Sequence, residues 1–113
     1  MKSSKLIEMF KEGNIVVPMY LLKNYKEMKL ELDEFVYLIY LFNQGDKFIF
    51  DPNMFANKLS MDLTDIMKLT SNLTDKGFIN VEVVENDKGY MEEFVSFSSS
   101  LFISSIINNF NLL

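Results

Sequence analysis

The side chains that most often perform catalysis or bind metals are scarce in this sequence. Its 113 residues include no Cys and no His, which removes thiolate nucleophiles, cysteine zinc sites, and the commonest metal ligand and general base. Carboxylates occur in pairs, at Glu92-Glu93 and at Asp62 with Asp65, but such pairs are routine on an exposed strand or at a helix start. The four glycines are scattered and form no phosphate-binding loop. We therefore expect no enzyme activity, no cofactor and no metal site.

Nucleic-acid recognition is a second chemistry to consider, and residues 62–76 would carry it. Their helical spacing follows a short polar turn, as in a helix-turn-helix, and the candidate DNA contacts are Lys68, Ser71, Asn72 and Lys76. Aspartates outnumber lysines in this segment, whereas phosphate binding requires a net positive charge. The whole chain carries a net charge of −5, and its 11 basic residues are all Lys, so Arg, the residue that most often reads guanine, is absent. We expect at most weak DNA binding.

The alternation of helical and extended patterns predicts the elements that position these residues. Apolar residues spaced three and four apart predict helices, β-branched and aromatic runs predict strands, and Gly, Pro and Asn-Asp clusters separate them. The expected order is helix 2–11, strand 15–17, helix 18–28, a helix from 33 to the stop at Gly45, strand 48–50, helix 52–59, helix 62–76, a hairpin of strands 78–84 and 90–97, and a last helix within 101–113.

This order predicts an α+β fold, mostly helical, in one domain of residues 1–113. Residues 33–97 have the order of a winged helix, a helix-turn-helix plus a β-hairpin wing. Residues 1–32 add an N-terminal helix-strand-helix extension, and residues 98–113 add a C-terminal helix that starts in a run of three serines. No apolar run matches a signal peptide or a membrane span. We expect a cytoplasmic protein without membrane contact.

The predicted strand at Ile15, Val16 and Val17 must find partners for its backbone N–H and C=O groups. One interpretation adds it to the wing sheet of its own domain. The other pairs it with the same strand of a second copy across a two-fold axis, an arrangement that closes after two subunits. Self-association through these residues is therefore one hypothesis.

The predicted C-terminal helix has a wide apolar face and a polar face made only of Ser and Asn. Either the helix completes the core, or Phe102, Ile106 and Phe110 stay partly uncovered. Uncovered apolar residues of this kind mark an interface, so these three join the candidate self-association set.

The predicted wing is acidic, and it has more apolar residues than one helix layer can cover. Because side chains alternate between the two faces of a strand, some of them must face a partner. We assign Ile49, Val81, Val83 and Glu93 as candidate partner contacts, since an acidic wing suits a basic protein surface. Solubility alone would explain the same charges, so both interpretations stay open.

Three sequence stretches together resemble a known family. They are Val17-Pro18 followed by Leu21-Leu22, then Phe50-Asp51-Pro52-Asn53, then Asp75-Lys76-Gly77-Phe78-Ile79 before an acidic hairpin. In their order and spacing, the chain is similar to the N-terminal domain of the DnaD family. That family comprises replication-initiation and primosome proteins of low-GC Gram-positive bacteria and their phages.

The resemblance implies a non-enzymatic scaffold that self-associates and helps to pass the replicative helicase to DNA opened by the initiator. The implied partners are further copies of the chain, as a homodimer or higher oligomer, and replication-initiation proteins. In that family a separate C-terminal domain carries much of the DNA binding. We expect that domain to be missing here, because the chain is either one domain excised from a longer protein or a short relative. The alternative function is a dimeric winged-helix transcription regulator.

Overall fold

The computed structural model describes residues 3–97, which form five helices and three strands. We call residues 3–22 the arm, and β2 with β3 the hairpin. The predicted C-terminal helix, with Phe102, Ile106 and Phe110, lies outside the described residues. The elements are α1 Ser3–Lys11, α2 Met19–Asn24, α3 Leu32–Phe42, β1 Lys47–Ile49, α4 Pro52–Leu59, α5 Leu63–Asp75, β2 Ile79–Glu85 and β3 Met91–Phe97.

The expected mixture of helices with a small antiparallel sheet is confirmed, and two elements of the arm differ from the prediction. Residues 15–17 form no strand within the described chain, because the N–H and C=O of Val16 bond to the side chain of Asn43 and not to another strand. α2 ends at Asn24 instead of residue 28, because the chain closes on itself where Lys29 takes a left-handed conformation and the Leu30 N–H donates to the Tyr25 carbonyl.

The sheet is antiparallel with the strand order β1-β3-β2. Val95 on β3 lies opposite Phe48 on one side and Val81 on the other, and it is completely buried against the helices. Towards the hairpin turn the same face leaves the core, and there Val83 lies opposite Glu93 in solvent. The hairpin is therefore anchored at one end only.

An aromatic cluster joins α3, α4 and β1. The ring of Phe55 is almost fully buried, with Tyr37, Tyr40, Phe48 and Phe50 around it at centroid distances of 6.5, 5.5, 6.2 and 5.9 Å. All four pairs meet edge to face, a geometry that adds about 0.5–1.5 kcal/mol per pair to the gain from burial.

The apolar pattern of α3 predicts a central helix, and its burial on most sides confirms it.

The termini of α4 and α5 follow from individual residues. Asp51 caps α4, because its carboxylate accepts the N–H of Met54 at 3.2 Å while Pro52 begins the helix. α5 ends at Asp75, and Gly77 just beyond it has a φ of +82°, which suits a residue without a Cβ and lets the Phe78 N–H return to the Leu73 carbonyl. These caps fix the two helices of the predicted helix-turn-helix at their outer ends.

A buried hydroxyl pair links α3 to α5. The Thr70 hydroxyl donates to the Ile66 carbonyl at 2.7 Å, so its oxygen is left to accept from the Tyr37 hydroxyl, also at 2.7 Å. Burial raises the pKa of Tyr37 to about 12 from its ordinary 10.0, although the hydrogen bond to Thr70 lowers it. Tyr37 therefore stays a neutral donor in the folded chain well above pH 10.

Thr70→Val should destabilise the fold more than Tyr37→Phe. Thr70→Val leaves the buried Tyr37 hydroxyl without an acceptor and should cost about 1–3 kcal/mol, whereas Tyr37→Phe leaves Thr70 bonded to Ile66 and should cost about 1 kcal/mol or less. The double variant should be more stable than Thr70→Val alone. Urea unfolding of the three variants tests this, and a double variant whose cost equals the sum of the two single costs would contradict the pairing.

Tyr37→Phe should also reduce the loss of stability in alkali. Because the folded pKa of Tyr37 is raised, its contribution is complete below pH 10 and is lost as pH rises towards 12. Unfolding free energies measured on both sides of pH 10 should fall less steeply for Tyr37→Phe than for the unaltered chain.

Candidate functional site

A buried carboxylate ties the end of α5 to the start of α3. Glu34 is 2% exposed, and its Oε1 accepts from the Lys76 Nζ at 2.6 Å and from the Glu31 backbone N–H at 2.8 Å. The Lys76 ammonium also donates to the Lys29 carbonyl at 2.7 Å. One lysine thus joins α5, the turn after α2 and the first turn of α3.

Two effects oppose each other at the Glu34 carboxyl. Burial by itself raises the pKa of Glu34, but hydrogen bonds from Lys76 and from the Glu31 backbone, the charge of Lys76 and a hydrogen bond from Asn72 outweigh it. The net pKa of Glu34 is lowered, so the ion pair is charged at neutral pH. A buried carboxylate bound in this way is a structural group.

This arrangement divides the four candidate DNA contacts of α5. The Lys76 ammonium bonds to Glu34, and Asn72 is half-buried and lowers the pKa of Glu34, which leaves Lys68 and Ser71 exposed on the outer face. The outer face also presents two apolar side chains, Leu63 and Met67, which are 44% and 48% exposed. The surface that would enter a DNA groove is therefore partly apolar, and one of its two candidate lysines, Lys76, is paired with Glu34.

The four candidate partner contacts of the sheet also divide, because side chains alternate across a strand. Val81, Val83 and Glu93 share the face that continues the core, with Val81 half-buried and the other two exposed. Ile49 lies on the opposite face, next to Phe94. The candidate partner contacts therefore lie on two faces of the sheet and not on one.

The outer face of the sheet also contains an organised charge cluster. The Lys47 Nζ lies 5.2 Å from the centre of the Phe94 ring and 3.8 Å from the Glu82 carboxylate. Both charged groups are more than half exposed, so the ion pair contributes little stability. The hairpin itself is acidic, because it contains one lysine, Lys88, against five acids, Glu82, Glu85, Asp87, Glu92 and Glu93.

The arm has the largest share of uncovered apolar surface. α1 buries none of its residues, and its Phe10 is 66% exposed. In the following stretch Ile15, Val16 and Val17 are all exposed, Val16 by 65%. A groove of about 690 Å³ separates the arm from α3 and α4, and its lining includes Val36 and Tyr40. Three of the predicted self-association residues, Ile15, Val16 and Val17, thus lie in the least covered part of the described chain.

Two residues that organise this region are absent from the sequence-based candidates. Glu34 is detectable as the acid three residues after Glu31, at the start of an apolar helix, which is the spacing of a capping box. Asn43 bonds to Val16 across 27 positions of sequence, and no local pattern reveals such a contact.

Within residues 3–97, no three His, Cys, Asp or Glu side chains are placed to hold a metal ion. No helix in the same part of the chain is long and apolar enough to cross a membrane.

Comparison with known proteins identifies the family. The model of the DnaD N-terminal domain matches residues 17–110. The chain belongs to the DnaD N-terminal domain family. Its structure is similar to the crystal structure of the N-terminal domain of DnaD from Geobacillus kaustophilus HTA426, with a TM-score of 0.62 and 22% identity over 98% of this chain and 92% of that chain.

A second structural neighbour of this DnaD-family domain is described as a possible transcriptional regulator from Methanosarcina mazei Go1. The TM-score is 0.59 and the identity 14%, over 75% of this chain and 71% of that one. At this identity the likeness concerns the fold alone. Among curated protein sequences, none matches the chain.

Lys76→Met should destabilise this domain, whereas Lys68→Met on the same helix should not. Lys76→Met leaves the Glu34 carboxylate buried without its cation, and we expect the free energy of unfolding to fall by about 2–3 kcal/mol. This is towards the low end for buried ion pairs, because the Lys76 side chain is one-third exposed. Lys68→Met should change the unfolding free energy by less than about 0.5 kcal/mol. Equal effects of the two substitutions in urea unfolding would contradict the assignment.

Glu34→Gln should remove part of the acid sensitivity of the fold. Because the folded pKa of Glu34 is lowered, its contribution is complete above the ordinary value of 4.5 and is lost as pH falls through the lowered pKa. Below pH 4.5 the unaltered chain should therefore lose stability more steeply than Glu34→Gln. Parallel pH curves for the two proteins would count against the ion pair.

Proposed function

We propose that the chain is a non-enzymatic scaffold domain of a DnaD-like replication-initiation protein, acting in the cytoplasm by binding copies of itself and partner proteins. The observation that carries this proposal is the arm, in which α1 buries no residue and apolar side chains lie in solvent. Exposed apolar surface gains free energy when another protein covers it. Membership of the DnaD N-terminal domain family supports the role in replication.

The winged-helix interpretation of residues 33–97 is part of the proposal. It is supported by the order of α3, β1, α4, α5 and the hairpin, and by the sheet order β1-β3-β2. In a winged helix α5 would be the DNA-reading helix. Since Glu34 binds Lys76 and Asn72, we infer that the fold serves as a frame for protein contacts.

Self-association is proposed to run through Ile15, Val16 and Val17. Two copies related by a two-fold axis would bring the same uncharged, β-branched surface together, which suits an isologous contact. The exposed side chains of α1 and the groove beside Val36 and Tyr40 would enlarge the buried area. Phe102, Ile106 and Phe110 remain in the proposed set, as a second surface.

The exposed end of the hairpin is proposed to bind replication-initiation partners such as the initiator or the helicase-loading machinery. Val83 is 58% exposed and lies opposite Glu93, with Glu85 nearby on the same face. A complementary surface would offer an apolar contact with Lys or Arg around it. Val81 supports this surface from the core side, and Ile49 belongs to a separate patch on the other face.

Val16→Glu should convert the chain to a monomer. A two-fold contact would place the two new carboxylates close together, whereas a single copy holds Val16 in solvent and should keep its unfolding free energy within about 0.5 kcal/mol. Light scattering after gel filtration should give a multiple of the 13.2 kDa monomer mass for the unaltered chain and the monomer mass for Val16→Glu.

Val83→Glu is the matched control, because it places the same charge on an equally exposed valine in the hairpin. It should leave the mass unchanged. A monomeric unaltered chain at the highest soluble concentration, or an oligomer that resists Val16→Glu, would overturn self-association through the arm.

The alternative, a dimeric DNA-binding regulator, is favoured by the fold that the chain shares with the possible transcriptional regulator. It requires DNA affinity that falls steeply with salt. With Lys68 as the exposed lysine of α5, we expect binding to labelled duplex at low salt to be weaker than about 1 µM and little changed by Lys68→Glu. Tighter binding that Lys68→Glu abolishes would reverse the ranking of the two functions.

A further inference from the structure

The side-chain amide of Asn43 holds the arm in place at Val16. Asn43 follows the last residue of α3, and its Oδ1 accepts the Val16 N–H at 2.8 Å while its Nδ2 donates to the Val16 carbonyl at 2.9 Å. The same Nδ2 donates to the Ile39 carbonyl at 2.8 Å, which fixes the direction of the amide. One side chain thus satisfies both backbone groups of one residue.

This contact imitates a neighbouring β-strand. In an extended residue the N–H and C=O point to the same side, and a residue on an adjacent antiparallel strand would meet both of them. Asn43 takes that place for Val16. Pro18 supports the extended form further, because a residue that precedes proline is restricted to extended conformations, and here that residue is Val17.

The opposite edge of the same segment has unused backbone groups. Since successive residues of an extended chain direct their N–H and C=O to alternate sides, Ile15 and Val17 direct theirs away from Asn43. Within residues 3–97 the backbone groups of Ile15 and Val17 make no hydrogen bond. The segment therefore has one satisfied edge and one open edge.

We propose that Asn43 is a positioning residue that prepares residues 15–17 for pairing with a second copy and sets the register of that pairing. Val16 of one copy lies opposite Val16 of the other. Ile15 and Val17 then exchange two hydrogen bonds each with Val17 and Ile15 of the second copy, which gives four in total. This inference rests on the proposed self-association through the arm and adds the residue that orders it.

Asn43→Ala tests the positioning role. Without the amide, residues 15–17 must be ordered at the moment of association, and preorganisation is known to strengthen binding by avoiding that cost. Each Asn43→Ala copy should weaken association about tenfold, which is the scale of one to two hydrogen bonds. Because the dimer contains two copies, its dissociation constant should rise about a hundredfold. Sedimentation velocity over a concentration series measures this constant.

Two further variants control for damage to α3. Gln44→Ala removes the neighbouring amide, which bonds only within the helix, to the Tyr40 carbonyl, and should leave the dissociation constant unchanged. Asn43→Asp keeps an acceptor for the Val16 N–H but places a carboxylate oxygen against the Val16 carbonyl, so it should weaken the dimer as Asn43→Ala does. A dimer whose constant is unchanged by both Asn43 variants would overturn the role of Asn43 and leave the proposed self-association standing.

The register is tested with single cysteines, for which the chain is suited because it contains no Cys. Opposed residues in such a pair lie about 4.5 Å apart at Cα, within disulfide range, whereas Ile15 and its own copy would be diagonal neighbours about 7–8 Å apart. Under mild oxidation Val16→Cys should cross-link at least about tenfold faster than Ile15→Cys or Val17→Cys. Faster cross-linking of either flanking cysteine would overturn the register, and a chain that is monomeric at every concentration would overturn both the register and the proposed self-association.

Discussion

The Glu34 carboxylate is the constraint on which the rest of this small domain depends. It is buried at the first turn of α3, and it stays charged because the Lys76 ammonium and the Glu31 backbone bind it. Removing one partner from a buried ion pair leaves the other charge buried without compensation. This lowers the free energy of unfolding far more than replacing both partners by apolar residues does. The position of α5 against α3, and of the turn at Lys29, therefore follows from this one group.

The same interaction decides what α5 can do. With Lys76 paired to Glu34, Lys68 is the lysine that α5 has left for phosphates, and its outer face presents Leu63 and Met67. Lys76 cannot pair with Glu34 and bind a DNA phosphate through the same ammonium group. Exposed apolar side chains are concentrated in the arm, where the Asn43 amide bonds to both backbone groups of Val16. The fold thus separates a buried helical core from an arm whose apolar side chains are exposed.

Local sequence signals predicted most of the fold, because periodicity, proline and glycine act within a few residues. Asp51-Pro52 and Gly77 placed the ends of α4 and α5 correctly. The strand at residues 15–17 was wrong for the isolated chain, since β-branched residues indicate extended backbone but do not reveal that Asn43, and not a strand, would bond to Val16. Lys76 likewise looks like a surface cation until its distant partner Glu34 is known. Contacts between distant residues were the part that sequence patterns could not supply.

Hydrogen exchange of the arm at low and high protein concentration tests most directly whether association orders this region. The account predicts that the amides of Ile15 and Val17 gain protection as concentration rises, while the core amides of α3 and the exposed face of α5 exchange at unchanged rates. Protection that appears on α5 or the hairpin while residues 15–17 remain unprotected would contradict it.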